Sequence, residues 1–170
     1  MTRRSAGTSI RKRAAVVTAT AVVAVGSIAA GVGAAGPEQA AKPDKKQIAA
    51  LFDNWNAALR TGDAERVADL YASDAVLLPT VSNRVRTDRA GIVDYFEHFL
   101  ENKPAGKKIR TVVNVLDRNS AIDTGVYAFT LTDHETGEKS VVKARYTYEY
   151  EKRGGEWLIV NHHSSKMPEG

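Results

Sequence analysis

The chain has 170 residues, with 24 Lys and Arg, 20 Asp and Glu, and no cysteine. Five of the basic residues and none of the acidic ones lie in the first 35 positions, so the remainder carries 19 basic and 20 acidic side chains. A near-neutral domain without a basic stripe lacks the electrostatic surface that binds nucleic acid. Without disulfides, a single domain of about 130 residues must be stabilised by its core alone.

The first 35 residues have the architecture of an export signal peptide. Five basic residues precede a stretch rich in Ala and Val, and small residues allow cleavage after Ala34 or Ala35. The protein would then be secreted or otherwise extracytoplasmic. The alternative is an uncleaved N-terminal anchor, because the apolar stretch is long enough to span a bilayer. A membrane is therefore a predicted partner only if the leader is uncleaved. Residues 36–43 form a flexible segment before a domain at 44–170.

Three helices are predicted at the start of this domain. Asp44 and Gln47 form a capping-box pattern, and apolar residues at helical spacing predict a helix over residues 45–60. A short second helix follows, and a third begins after Thr87 or Asp88. The apolar residues predicted to face inward from the second and third helices are Val67, Leu70, Tyr71, Ile92, Tyr95, Phe96 and Phe99.

Beyond residue 107 the hydrophobic period changes from that of a helix to that of a strand. One strand is predicted earlier, at 75–79, and four more are joined by short connections. Short connections favour antiparallel pairing. Helices followed by such strands predict an α+β domain in which the helices cover one face of a curved antiparallel sheet, leaving a cavity between them. The four later strands are predicted at 109–116, 121–132, 140–151 and 157–164.

The last two strands are predicted to form a hairpin around Gly154-Gly155. If these glycines are the two loop residues, Tyr148 lies opposite Asn161 and Tyr146 lies opposite His163. Tyrosine, amide and imidazole groups on one face suit the wall of a ligand pocket, although they suit a sheet face packed on a helix equally well. The predicted pocket residues are Trp55, Tyr95, Tyr127, Tyr146, Tyr148, Asn161 and His163, with Trp55 and Tyr95 also consistent with a purely structural role.

His163 and Asp123 are candidates for acid/base catalysis. An aspartate in an apolar cavity has a raised pKa and could abstract a proton beside a carbonyl group. The structural alternative is that each side chain is buried and hydrogen-bonded. His162 and His163 are adjacent on one strand, so they point to opposite faces and cannot bind one metal ion together. His162 is placed on the outer face with Arg145. No metal and no cofactor is predicted.

Several segments resemble a known family. They are Trp55-Asn56-Ala57-Ala58 with Thr61-Gly62-Asp63, the stretch LYASDAVLLPTVS at 70–82, Asp94-Tyr95-Phe96-Glu97-His98-Phe99, and the closing segment 157–168. From about residue 48 to 169 the chain resembles the stand-alone bacterial form of the calcium/calmodulin-dependent protein kinase II association domain, within the nuclear transport factor 2-like (SnoaL-like) superfamily. The resemblance implies a cone-shaped α+β fold that assembles with itself into dimers or larger rings.

The resemblance does not imply kinase activity. The chain has no Gly-rich phosphate loop and no HRD or DFG triplet. It also has Tyr127 and Tyr148 where the animal association domain has pocket arginines, so a preference for carboxylates does not carry over. Two functions remain open. One is an exported, self-associating module that binds a small apolar or aromatic molecule; the other is a SnoaL-like enzyme, an isomerase, cyclase or hydrolase that uses acid/base chemistry.

Overall fold

The computed structural model describes residues 41–168 and begins with the predicted first helix. Helix α1 spans Lys45–Leu59. The Asp44 side chain accepts the Gln47 backbone N–H at 2.7 Å, and the Gln47 side chain accepts the Asp44 N–H at 2.9 Å. The predicted capping box is therefore present. The buried face of α1 consists of Ile48, Phe52, Trp55, Asn56 and Leu59.

The second helix is shorter than predicted, and the third begins at one of its predicted caps. Helix α2 is only Ala64–Ala68, because Tyr71 already belongs to strand β1, Tyr71–Leu78. The backbone N–H of Ile159 donates to the carbonyl of Leu70, so pairing with the last strand begins where a longer helix was predicted. Helix α3 is Arg89–Glu101, and Asp88 caps it as predicted.

The sheet has five strands in the order β1-β5-β4-β3-β2. After β1 the chain forms α3, crosses to the far edge as β2, and returns through antiparallel neighbours to β5. Strand β5 lies beside β1 and parallel to it. The prediction of a wholly antiparallel sheet was therefore wrong at this one pairing. The later strands are β2 Ala105–Val115, β3 Ser120–Thr132, β4 Lys139–Arg153 and β5 Glu156–Lys166.

The β4–β5 hairpin contains a register shift that reverses part of the predicted pairing. Tyr150 lies opposite Ile159, but Glu149 lies opposite Asn161, so Val160 is an extra residue in β5. A single extra residue moves every later side chain of a strand to the other face. Beyond this bulge, Tyr148 is therefore paired with His162.

The helices all lie on one face of the sheet, as an α+β domain of this type requires. Phe52 of α1 contacts the rings of Tyr127, Tyr146 and Tyr148 across the inner face. Asn56 ties α1 to β2 because its amide donates to the Gly106 carbonyl and accepts the Gly106 N–H, both at 2.9 Å. The opposite face of the sheet is not covered by any element within residues 41–168. The predicted fold class is confirmed, with a mixed sheet.

Candidate functional site

A small apolar cavity lies between the helices and the inner face of the sheet. Its volume is about 40 Å³, well below the ~150 Å³ of an engineered cavity that binds benzene. A ligand of more than a few atoms therefore has to extend through the mouth. Six of the fifteen lining residues are Trp, Tyr or Phe, and three others carry polar side chains. The aromatic lining residues are Trp55, Tyr95, Phe96, Phe99, Tyr127 and Phe129; the polar ones are Thr80, His162 and Ser164.

His162 is held in one protonation state and one orientation. The Trp55 indole N–H donates to the Tyr71 hydroxyl oxygen at 3.1 Å, and that oxygen lies 2.8 Å from His162 Nδ1. A proton on Nε2 lets the Tyr71 hydroxyl donate to Nδ1, whereas a proton on Nδ1 would leave the Tyr71 hydroxyl hydrogen without an acceptor among the described residues. The Nε2 tautomer therefore satisfies more of these groups. Burial, with a smaller contribution from His163, lowers the pKa of His162 from 6.5 to about 3, so the ring is neutral.

The Nε2–H group of His162 is the unsatisfied polar group of this cavity. It is buried and has no hydrogen-bond partner among the described residues. The ring itself is fixed by stacking on Tyr148, with centroids 4.1 Å apart. His162 lines the cavity, but its Nε2 atom has almost no accessible surface, so a ligand oxygen or a water molecule satisfies this donor only when a neighbouring side chain moves aside.

Three hydroxyl groups form a second polar feature of the wall. Tyr127 donates to Ser164 Oγ at 2.6 Å, and Ser164 is hydrogen-bonded in turn to Thr80. These groups satisfy one another, so they add polarity to the cavity without leaving a buried group unpaired.

Asp123 lies in a separate buried cluster on the same inner face. Its Oδ1 accepts the Tyr146 hydroxyl at 3.0 Å, and Lys108 Nζ is 3.5 Å from Oδ2. Burial raises the pKa of Asp123, and the Lys108 charge partly offsets the shift. The hydroxyls of Tyr148 and Tyr150 are also buried without partners among residues 41–168. Asp123 does not line the cavity that His162 lines.

The predicted pocket residues divide into three groups. Trp55, Tyr95 and Tyr127 line the cavity. Tyr146 and Tyr148 share the inner face but lie buried beside the cavity.

Asn161 and His163 lie on the outer face, because the bulge at Val160 reverses the end of β5. Their predicted placement was wrong, and so was the placement of His162 on the outer face with Arg145. His163 is exposed to solvent, whereas only 4% of the surface of His162 is exposed. The sequence signal that was available is the apolar run Leu158-Ile159-Val160, which interrupts the alternation of β5 without indicating which residue bulges.

No group of three or more potential metal ligands occurs in residues 41–168. Within the same residues, no helix is long and apolar enough to cross a membrane. The predicted export signal lies outside the described residues.

Comparison with known proteins adds the family to this geometry. The model of the calcium/calmodulin-dependent protein kinase II association domain matches residues 44–168. A protein from Xanthomonas campestris assigned to this association domain is 58% identical, with a TM-score of 0.73 over 79% of this chain and 97% of that one. A comparison with curated proteins gives no significant match.

Two more distant structures share the fold alone. A nuclear transport factor 2-like protein from Salmonella enterica is 15% identical, with a TM-score of 0.64 over 73% of this chain and 91% of that one. The association domain of the Caenorhabditis elegans kinase is 15% identical, with a TM-score of 0.59 over 72% of this chain and 95% of that one. The cone fold predicted from the sequence is confirmed by these neighbours.

Proposed function

Because the chain belongs to the calcium/calmodulin-dependent protein kinase II association domain family, we propose that it is an exported, self-associating module that binds a small apolar molecule in its cone. The observation that carries the proposal is the unpartnered His162 Nε2–H at an apolar wall. Leaving a buried donor unsatisfied costs about 1–3 kcal/mol. A ligand that is apolar and carries one hydrogen-bond acceptor recovers this cost.

The alternative is an acid/base enzyme, and Asp123 is the observation that favours it. Its raised pKa and its Tyr146 partner suit proton transfer. The cavity favours binding instead, since its one imidazole is held neutral, with its proton on the nitrogen that faces no partner. Such a group donates a hydrogen bond but is a poor base at neutral pH. His163, the other predicted catalytic residue, is on the outer face.

The binding proposal is tested with cyclopentanone and cyclopentane, which differ by one carbonyl oxygen. Trp55 fluorescence is the readout, in a Trp157→Phe background that leaves Trp55 as the only tryptophan. We expect cyclopentanone to bind about fivefold more tightly, because one neutral hydrogen bond contributes about 1 kcal/mol. His162→Phe keeps the ring and removes the donor, so it should abolish the preference. Failure of both probes to bind would contradict the proposal.

Self-association and export are tested together. The name of the family implies self-association, and the uncovered outer face is the surface we propose for it. A row of this face runs across four paired strands: Val112, Thr124, Thr147 and His163.

Native mass spectrometry of protein from its host should show a dimer or larger assembly of subunits that begin at residue 35 or 36. A monomer at tens of micromolar would contradict self-association, and a full-length mass confined to membranes would contradict cleavage.

A further inference from the structure

Strand β2 is an open edge of the sheet. It is the last strand in the order β1-β5-β4-β3-β2, so within residues 41–168 its only neighbour in the sheet is β3. The opposite edge is partly closed, because the backbone of Arg86 forms two hydrogen bonds with Leu77 of β1, at 2.8 and 2.9 Å. No described residue outside the strands forms such a bridge with β2. An edge strand with free backbone groups can pair with another chain.

Two observations show which backbone groups of β2 face away from β3. The N–H of Leu116 donates to the carbonyl of Ser120 at 3.1 Å, so the groups of residue 116 point toward β3. The Arg110 carbonyl oxygen also points toward β3, since it would lie 1.8 Å from a Cβ atom at Gly125. These groups alternate in direction along a strand, and the pairing of residues 110–115 contains no register shift. The positions whose N–H and C=O groups face the open edge are therefore Thr111, Val113 and Val115.

The side chains along this edge are cationic and aliphatic. Lys107 and Arg110 are exposed, and neither forms an ion pair with another described residue. No Asp or Glu occurs between residues 105 and 116. The aliphatic side chains are 54%, 44% and 50% exposed and belong to Ile109, Val112 and Leu116, respectively.

We propose that β2 is a docking edge for an extended, acidic segment of a partner protein, which adds to the sheet as a sixth strand. The outward N–H and C=O groups supply main-chain hydrogen bonds to a segment of about five residues. Lys107 and Arg110 favour carboxylates beside them, and Val112 contacts an aliphatic side chain between those carboxylates. This site is separate from the proposed binding function, because no residue of β2 lines the apolar cavity.

Charge favours this partner over a second copy of the chain. Pairing two β2 strands would bring Lys107 and Arg110 of both copies to an edge that holds no carboxylate, and like charges on adjoining strands are destabilising. The bulge at Ile109 limits regular pairing to the residues that follow it. A bulge and cationic side chains can also serve only to keep an edge strand unpaired. In that case, extended peptides of either charge would fail to bind.

The experiment titrates the protein with three hexapeptides that alternate valine with glutamate, glutamine or lysine. We expect the glutamate peptide to bind about tenfold more tightly than the glutamine peptide, as two exposed ion pairs imply, and the lysine peptide to bind most weakly. Residue-resolved amide hydrogen exchange reports the pairing. The glutamate peptide should slow exchange by about tenfold or more at Thr111, Val113 and Val115. Exchange at Val112 and Asn114, whose groups already face β3, should not change.

Variants separate the charges of the edge from its backbone groups. Lys107→Gln and Arg110→Gln should each reduce the glutamate preference about threefold. Lys143→Gln, which removes an exposed cation from the internal strand β4, is the matched control. Val115→Pro removes an outward N–H without removing a bond to β3, so it should weaken all three peptides. A glutamate peptide N-methylated on the amides that face β2 provides the same test without altering the protein.

Three results would each overturn the acidic docking edge. They are equal binding of the glutamate and lysine peptides, unchanged exchange at the outward amides, and undiminished binding of the N-methylated peptide. Outward amides that are protected in the free protein and lose this protection on dilution would show that a second copy occupies the edge, which also contradicts the proposal. Binding in the apolar cavity is measured separately with cyclopentanone, so failure of either proposal leaves the other standing.

Discussion

His162→Ala is expected to lower the free energy of unfolding by about 3 kcal/mol, whereas His163→Ala should change it by less than about 0.5 kcal/mol. His162 is buried, accepts a hydrogen bond from Tyr71 and stacks on Tyr148. Its removal leaves the Tyr71 hydroxyl without an acceptor and opens a void. His163 is exposed on the outer face of a single subunit, so in the monomer, at low protein concentration, its loss has neither effect. Urea unfolding of the two alanine variants measures the difference.

The same residue gives the protein a specific dependence on pH. The pKa of His162 is about 3 in the folded state, against an ordinary value of 6.5. Between these values the unfolded chain binds a proton that the folded protein does not, so stability falls as the pH falls below about 6.5. The loss approaches about 1.4 kcal/mol per pH unit and amounts to about 2 kcal/mol at pH 5. Above pH 7 this group contributes no pH dependence.

Two variants isolate this effect. His162→Phe should remove the loss of stability, and His163→Ala should retain it. Asp123 acts in the opposite sense, because its folded pKa is raised and its contribution to stability is present only at low pH. The comparison is therefore cleanest in an Asp123→Asn background. Equal acid sensitivity of the His162→Phe and parent proteins would show that His162 titrates normally. A β5 register that buries His162 against Tyr148 would then be wrong.

Local signals in the sequence predicted the helices and the fold class well. The capping box at Asp44 and the cap at Asp88 are formed by residues three positions apart, so the pattern contains the whole interaction. The inner stripe of α1 follows from helical periodicity in the same way. Matching motifs along the chain then predicted the family, which the family model confirms.

Interactions between residues that are far apart in the sequence could not be predicted from such local patterns. The parallel pairing of β1 with β5 joins Tyr71 to Ile159, and no short-range pattern specifies it. The bulge at Val160 changes which histidine enters the cavity, yet the hairpin turn is as predicted. Packing on the two faces of the sheet decides whether a strand takes up an extra residue, and local sequence patterns do not report that packing. The most informative site residue was therefore assigned to the wrong face even though the turn was predicted correctly.

The burial of Arg86 could not be predicted because its contacts form only in the folded chain. Arg84 and Arg86 lie in a segment whose sequence resembles an ordinary solvated loop. Arg86 becomes buried through its backbone bonds to Leu77 and its pairing with Asp94 of α3. Sequence periodicity predicts which face of a helix is apolar. It does not predict which loop residues become buried.

Gly125→Ala is expected to destabilise the protein by about 3 kcal/mol or more, at the upper end of what overpacking costs. A Cβ atom at this position would lie 1.8 Å from the Arg110 carbonyl oxygen and 2.8 Å from its carbonyl carbon. These are backbone atoms of the neighbouring strand β2, so they cannot rotate away as a side chain could. Strand β2 is bulged at Ile109, between the pairs Lys108–Tyr127 and Arg110–Val126. Pushing it outward breaks the pairing of the whole edge strand.

Gly137→Ala is the matched control for this prediction, because nothing lies within 4 Å of its added Cβ atom. Gly137 has a φ of +72°, so alanine there costs about 1 kcal/mol through backbone strain alone. Urea unfolding should rank Gly125→Ala well below Gly137→Ala in stability, and hydrogen exchange in Gly125→Ala should accelerate first at the β2 amides. Equal stabilities for the two variants would mean that strand β2 can move away from residue 125 without a loss of stability. In that case, the Asn56–Gly106 hydrogen bonds and the Lys108–Asp123 ion pair would hold the edge strand more weakly than their distances imply.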